Sequence, residues 1–218
     1  MFFESRPAVL AYDPVSMRWV LLLTILCSAA AAAESPLFFR EDWTESPPSL
    51  PVTDADLTNR ELTVTRHGPG GSLLKKSFHD FIPNDPHYIW SGLCRGNWAL
   101  SLRRKDSDVD LTAGRVRWRA KQSGFRMLRV VVKTGDGKWL VSDAADEASD
   151  DWRVRELDLD EVGWRELNVE TVVEGRVVES PDLSRVEEVG FTDLMAGGRS
   201  RACSRLDWIE VYGPAVPR

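Results

Sequence analysis

Along most of the chain, apolar positions recur with a period of two. Arg115-Val-Arg-Trp-Arg-Ala-Lys121 is the clearest case: Val116, Trp118 and Ala120 fall on one side, and Arg115, Arg117, Arg119 and Lys121 on the other. That is the alternation of a strand with one face in a core. Glu61–Arg66 alternates in the same way, Trp98–Arg103 reads as a short strand, and Phe125–Lys133 has the β-branched, apolar composition of a central one. Gly135-Asp136-Gly137 predicts a hairpin turn into Trp139–Ser142. Further strands are predicted at Trp152–Leu159, Trp164–Val169, Val186–Thr192 and Arg205–Tyr212. Helical pattern is confined to a turn each in Asp54–Arg60 and Ser180–Val186. Many short strands at regular spacing predict an all-β domain, a β-sandwich or barrel.

The first residues follow a different pattern. From Met17 the chain reads Met-Arg-Trp-Val-Leu-Leu-Leu-Thr-Ile-Leu-Cys-Ser, then a run of alanines ending at Ala33. A short basic start, an apolar stretch and small residues predict a secretory signal peptide over 1–33, cleaved after Ala33. Met17 is the expected initiator, with residues 1–16 an over-extended start. The apolar stretch falls short of the roughly 20 residues of a membrane span. Lipid attachment at Cys27 is the competing reading, but Leu26 stands where a small residue is needed. The mature protein is therefore expected to be secreted or periplasmic, with no membrane insertion after cleavage. Residues 34–60 are Pro-rich and acidic, an extended lead-in that Leu37, Phe38, Phe39 and Trp43 pin to the domain at 61–218.

Charge and cysteine content narrow the function classes. The formal net charge is −6, with 28 basic and 34 acidic side chains, and the leader carries equal numbers of each. An acidic exported domain is a poor nucleic-acid binder. Outside the leader the cysteines are Cys94 and Cys203. In an oxidising compartment such a pair predicts a disulfide, two buried thiols being the alternative. Neither has a second ligand at Cys-x-x-Cys spacing, so a metal site is not indicated there.

The closing strand, Leu206-Asp-Trp-Ile-Glu-Val-Tyr-Gly213, puts Asp207, Ile209 and Val211 on one face and Trp208, Glu210 and Tyr212 on the other. It resembles the last strand of jelly-roll domains of the galactose-binding-like and carbohydrate-binding-module type. That resemblance implies a jelly-roll β-sandwich of two antiparallel sheets and a carbohydrate or surface-glycan ligand. It also implies a structural calcium, with Glu41 or Asp42 near the first strand and Asp207 in the last as ligands. Hard Ca²⁺ takes oxygen donors of this kind, but an arginine or backbone N–H groups would satisfy Asp207 equally.

Two loop segments carry the remaining candidate chemistry. Ser77–Cys94 holds His79, Asp80, His87, Tyr88 and Trp90, and loops between sandwich strands are where binding residues collect. Gly190–Arg199 holds Asp193 at a strand end and Arg199 in a Gly-rich turn. A Cys94–Cys203 bridge would lay these segments side by side as one site. Of the eight tryptophans outside the leader, Trp43, Trp98, Trp118, Trp152, Trp164 and Trp208 are expected mostly in the core, whereas Trp90 and Trp139, beside loops, are the expected sugar platforms. The Arg117, Arg119, Lys121 row reads as a solvated face or as hydrogen-bond donors to a glycan. Nucleophile-elbow, zincin and phosphate-loop motifs are missing, and no carboxylate pair is singled out. The sequence thus predicts a glycan-binding protein without catalysis of its own. A glycan-active hydrolase or lyase using His79, Asp80 or His87, and a structural or interaction protein of the envelope, are the alternatives.

Overall fold

The computed structural model describes residues 35–194 and 202–218. In chain order its strands are β1 (Leu37–Glu41), β2 (Leu62–His67), β3 (Lys75–Ser77), β4 (Tyr88–Trp90), β5 (Trp98–Arg104), β6 (Ser107–Val109), β7 (Arg115–Gln122) and β8 (Arg129–Thr134). They continue with β9 (Trp139–Ser142), β10 (Arg153–Asp158), β11 (Trp164–Asn168), β12 (Val173–Val178), β13 (Val186–Asp193), β14 (Ser204–Tyr212) and β15 (Ala215–Pro217). Helix among the described residues is limited to 3-10 turns at Asp54–Asp56 and Gly71–Leu73. The first lies in the expected helical stretch, and Ser180–Val186 leads into β13 without one. Thus no described helix is long and apolar enough to cross a membrane.

The strands form two antiparallel sheets. One has the order β10-β7-β14-β4-β3, with β1 also on β14, and the other runs β12-β11-β9-β8-β13-β5-β2, with β6 on β13 and β15 on β6. The chain passes repeatedly from sheet to sheet, at β1–β2, β2–β3, β4–β5, β6–β7, β7–β8, β9–β10, β10–β11, β13–β14 and β14–β15, which is jelly-roll wiring. The period of two decides what lies between the sheets. Val116, Trp118 and Ala120 of β7 and Leu206, Ile209 and Val211 of β14 are buried against Leu100, Leu102, Val130, Val132 and Phe191 of the second sheet. Trp118 meets Phe191 edge-on across the interface, ring centroids 5.2 Å apart. The turn expected at 135–137 is made by Gly137, whose φ of 83° suits glycine and disfavours other residues.

The lead-in is more than a surface segment, because β1 pairs along β14 and its Phe38, Phe39 and Glu41 are buried. Glu41 is fully enclosed, and three backbone N–H groups donate to its carboxylate: Trp43 at 2.7 Å, Thr58 at 2.8 Å and Asn59 at 2.9 Å. The carboxylate organises the chain where it leaves β1 and again where it returns at 58–59. Replacing it by leucine strands three donors, each worth roughly 1–3 kcal/mol when left buried and unpaired. Glu41→Leu should therefore lose about 3 kcal/mol or more in equilibrium denaturation, and an unchanged midpoint would contradict this role.

Candidate functional site at the seam of the first sheet

β14 has two edges, and they are used differently. β7 follows one edge from Ser204 to Tyr212. The other is shared: β4 pairs with Arg205 and Leu206, and β1 pairs with Ile209 to Tyr212. The seam between them falls at Asp207 and Trp208, where the register against β7 shifts between Leu206 and Trp208. Such a bulge sets two residues against one and turns a side chain that regular alternation would place elsewhere. Leu206 and Ile209 both stay in the core, and Asp207 faces outward with Trp208. This corrects the sequence expectation that Asp207 shares a face with Ile209 and Val211: its Oδ2 accepts from Nη1 of the outward Arg119 at 2.7 Å. Trp43, held at φ 58°, closes the seam from the β1 side, its indole N–H donating to the Leu206 carbonyl at 3.1 Å.

A cleft of about 820 Å³ opens at this point, lined by residues that include Asp42, Trp43, Glu45, Asp85, His87 and Asp207. Asp207 is nearly enclosed, and burial raises its carboxyl above the ordinary aspartate value against the opposing pull of Arg119. His87 packs against Phe78 with its ring tilted, centroids 4.5 Å apart; burial, helped by the Lys76 charge, lowers its pKa and favours the neutral ring. Next to it, His79 Nδ1 lies 2.9 Å from Asp85 Oδ2 and 3.1 Å from the Tyr88 hydroxyl, an arrangement that fixes the imidazole.

Beside the cleft the outer face of the sheet carries half-buried aromatic rings set between guanidinium groups. Arg40 and Arg117 lie over Trp208 at 4.6 and 5.7 Å, Arg119 over Trp152 at 5.3 Å, and Arg115 over Tyr212 at 4.5 Å. These cations are matched by acids: Arg40 by Asp42 and Glu210, Arg115 by Glu156, Arg117 by Glu156 and Glu210, and Arg119 by Asp207. The Tyr212 hydroxyl donates to Glu210 at 2.8 Å. The face therefore offers apolar ring surface, donors and acceptors together, with little net charge.

The sequence-predicted residues divide between this site and other places. His87 and Asp207 line the cleft, with His79 bonded to its Asp85 and Tyr88 bonded in turn to His79; Asp80 is exposed and does not line it. Trp90 lies on the outward side of β4, but Gly92 packs against its ring and Lys75 lies over it at 5.8 Å, so it is no open platform. Trp139 belongs to the second sheet, edge-on to His67 at 4.8 Å and packed on the small cluster of Ala99, Val131, Val141, Leu167 and Val172. Asp193 is fully buried and paired with Arg126 at 3.1 Å, and Arg199 lies outside the described residues. Ser91 of the first loop segment bonds to Ser204 at the start of β14, at the other end of β4 from His79, and residues 195–201, which include the later half of the second segment, lie outside the described residues. The residues missed by sequence reasoning are Trp208, Tyr212, Trp152 and Arg40. The outward alternation of Trp208 and Tyr212 was the available signal for two of them.

The candidate calcium ligands take separate partners. Glu41 is occupied by three backbone N–H groups, Asp42 by the Arg40 guanidinium and Asp207 by Arg119. Among the described residues no group of three or more His, Cys, Asp or Glu side chains is arranged to hold a metal. The expected disulfide is not formed either: Cys94 and Cys203 are free and buried, and Cys203 Sγ sits 3.5 Å from the Ser123 hydroxyl.

No family model matches the chain, and no curated protein matches it. Among solved structures it is similar to the family 11 carbohydrate-binding module of the cellulosomal cellulase Lic26A-Cel5E of Clostridium thermocellum, with 12% identity and TM-score 0.43 over 78% of this chain and 97% of that one. It is likewise similar to a family 11 module from the same organism in complex with a β-1,3-1,4-mixed-linked tetrasaccharide, with 13% identity and TM-score 0.44 over 80% and 100% of the two chains. A single-site mutant of a family 29 carbohydrate-binding module gives 15% identity and TM-score 0.42 over 70% and 92%. Likeness of this size carries no residue from those modules onto this chain.

Two outcomes follow from the titratable groups. Because burial raises the Asp207 carboxyl, the folded chain takes up that proton more readily than the unfolded one. Its contribution to stability is full below the ordinary aspartate value and is lost as pH rises through the folded value. Arg119→Met removes the opposing charge, so carboxyl NMR titration should find Asp207 shifted further upward; a downward shift would contradict the pairing. Burial also pushes the Cys94 thiol up to about 12. Cys94 should therefore resist alkylation in the folded protein at mildly alkaline pH, and both Cys94 and Cys203 should label in denaturant without reductant. Absence of label in denaturant would contradict the dithiol state.

Proposed function

We propose that this protein is an exported glycan-binding protein without catalysis of its own, and that the glycan lies on the outer face of the first sheet, over Trp208, Trp152 and Tyr212. The observation that carries the reading is the row of half-buried rings alternating with charge-balanced guanidinium and carboxylate groups. A sugar presents an apolar C–H face and a rim of hydroxyls, so it needs ring surface beside donors and acceptors, with water excluded between. Rings already braced by arginines lose little freedom on binding. The leader-like sequence over 1–33 supports a secreted or periplasmic location.

One observation favours a second reading, a glycan-active hydrolase or lyase: His79 is oriented through Nδ1 by Asp85 and Tyr88, as a general base would be. A single titration separates the two. Tryptophan fluorescence is followed while the protein meets a panel of glucan, mannan, xylan, galactan and uronan oligosaccharides, with calcium or with chelator, since Asp42 and Asp207 both line the cleft. Saturable quenching without product is expected, and Trp208→Ala should weaken it tenfold or more, about 1.4 kcal/mol. Quenching by no member of the panel contradicts glycan binding. Product that disappears in His79→Ala selects the enzyme.

A further inference from the structure

The bulge in β14 turns two consecutive residues to the same side, which a regular strand cannot do. One is the ring of Trp208. The other, Asp207, is only 6% exposed, yet it lines the cleft. Its Oδ2 is held by Arg119 at 2.7 Å, and among the described residues no hydrogen bond reaches Oδ1. Arg119 spends one N–H on Asp207, and its guanidinium lies over the Trp152 ring. A guanidinium carries five N–H donors in a fixed plane and a carboxylate only acceptors. The pair therefore presents an acceptor and donors side by side, at a fixed separation, next to the stacking ring.

Resting on the glycan-binding reading, we infer that the Asp207–Arg119 pair reads two adjacent hydroxyls of the sugar unit that enters the cleft beside Trp208. One hydroxyl donates to Asp207 Oδ1 and its neighbour accepts from the Arg119 guanidinium. The cleft's volume of about 820 Å³ lies within the range of small-ligand sites, and Trp43, Pro86 and the neutral ring of His87 supply less polar walls. Breaking one partner of such a charged pair leaves the other without its hydrogen bond, so discrimination against a sugar lacking the diol is large. The bulge is then a recognition device: the same extra residue that interrupts the ladder supplies the second contact.

The test compares the tightest-binding oligosaccharide of the panel with its counterpart O-methylated at adjacent hydroxyls. The wild-type full chain should bind the methylated sugar at least tenfold more weakly, and Asp207→Asn should bind the parent at least tenfold more weakly while discriminating less than threefold. The wild-type comparison stands by itself if the variant fails to fold. Equal binding of both sugars by wild type overturns the inference. So does an Asp207→Asn variant that binds as wild type while Trp208→Ala does not, which leaves the glycan reading intact. Binding that requires calcium also overturns it, since the open oxygen would then serve a cation. If no panel member binds wild type, the glycan reading fails and this inference fails with it.

Discussion

The bond between the Trp43 indole and the Leu206 carbonyl holds the first sheet together where its strands run out. β14 is shared by β1, β4 and β7, and its outer edge is divided between β1 and β4 with a gap at the bulge. Trp43 fills that gap from one side, anchored by its own indole hydrogen bond and by the Glu41 carboxylate that binds its backbone N–H. A backbone at φ 58° is costly for a bulky residue and persists only where its surroundings fix it. The cleft opens beside this join, and the bulge lies next to it.

The ion pairs on the outer face tie part-exposed arginines to acids of very different burial, from the nearly enclosed Asp207 and Glu210 to the more exposed Asp42 and Glu156. Where both partners are exposed, such a pair is worth roughly 0–1 kcal/mol and is weakened by salt. Their arrangement is better explained by the rings they hold. Trp208 stands between Arg40 and Arg117, and those two arginines are in turn anchored by Glu210, whose other contact is the Tyr212 hydroxyl. The carboxylates fix the arginines, the arginines fix the rings, and the rings keep an orientation that would otherwise be disordered by side-chain rotation. The same balance removes any strong field from the face, in contrast to a surface built to capture a polyanion.

Much of the fold was legible in the sequence, because alternation is a direct consequence of one buried face. β2, β5, β7, β9, β10, β11, β13 and β14 all lie where the period of two places them. The strands that escaped notice are short or polar: β3 and β6 span three residues each, and β12 is a largely exposed edge strand whose residues show no two-fold burial. Phe125 was expected within a central strand but belongs to the exposed turn before β8, where apolar composition carried no periodicity. The site was less legible. The loop histidines led to the cleft, yet the alternation argument put Asp207 inside, since a single bulge residue reverses the phase of everything on one side of it. Trp90 and Trp139 were favoured for lying beside loops, but a neighbouring glycine and lysine cover one and a histidine and an apolar cluster engage the other. Sequence position cannot reveal such tertiary coverage.

The central claim is that ligand contacts the outer face of the first sheet at the β14 seam. It is tested most directly by the indole N–H resonances of the tryptophans, assigned by substitution and followed as a bound oligosaccharide is added. The account predicts that the Trp208 and Trp152 signals move with saturation while Trp139, on the other sheet, stays in place. Movement of Trp139 alone, with Trp208 and Trp152 unperturbed, would place the ligand on the second sheet and contradict the account.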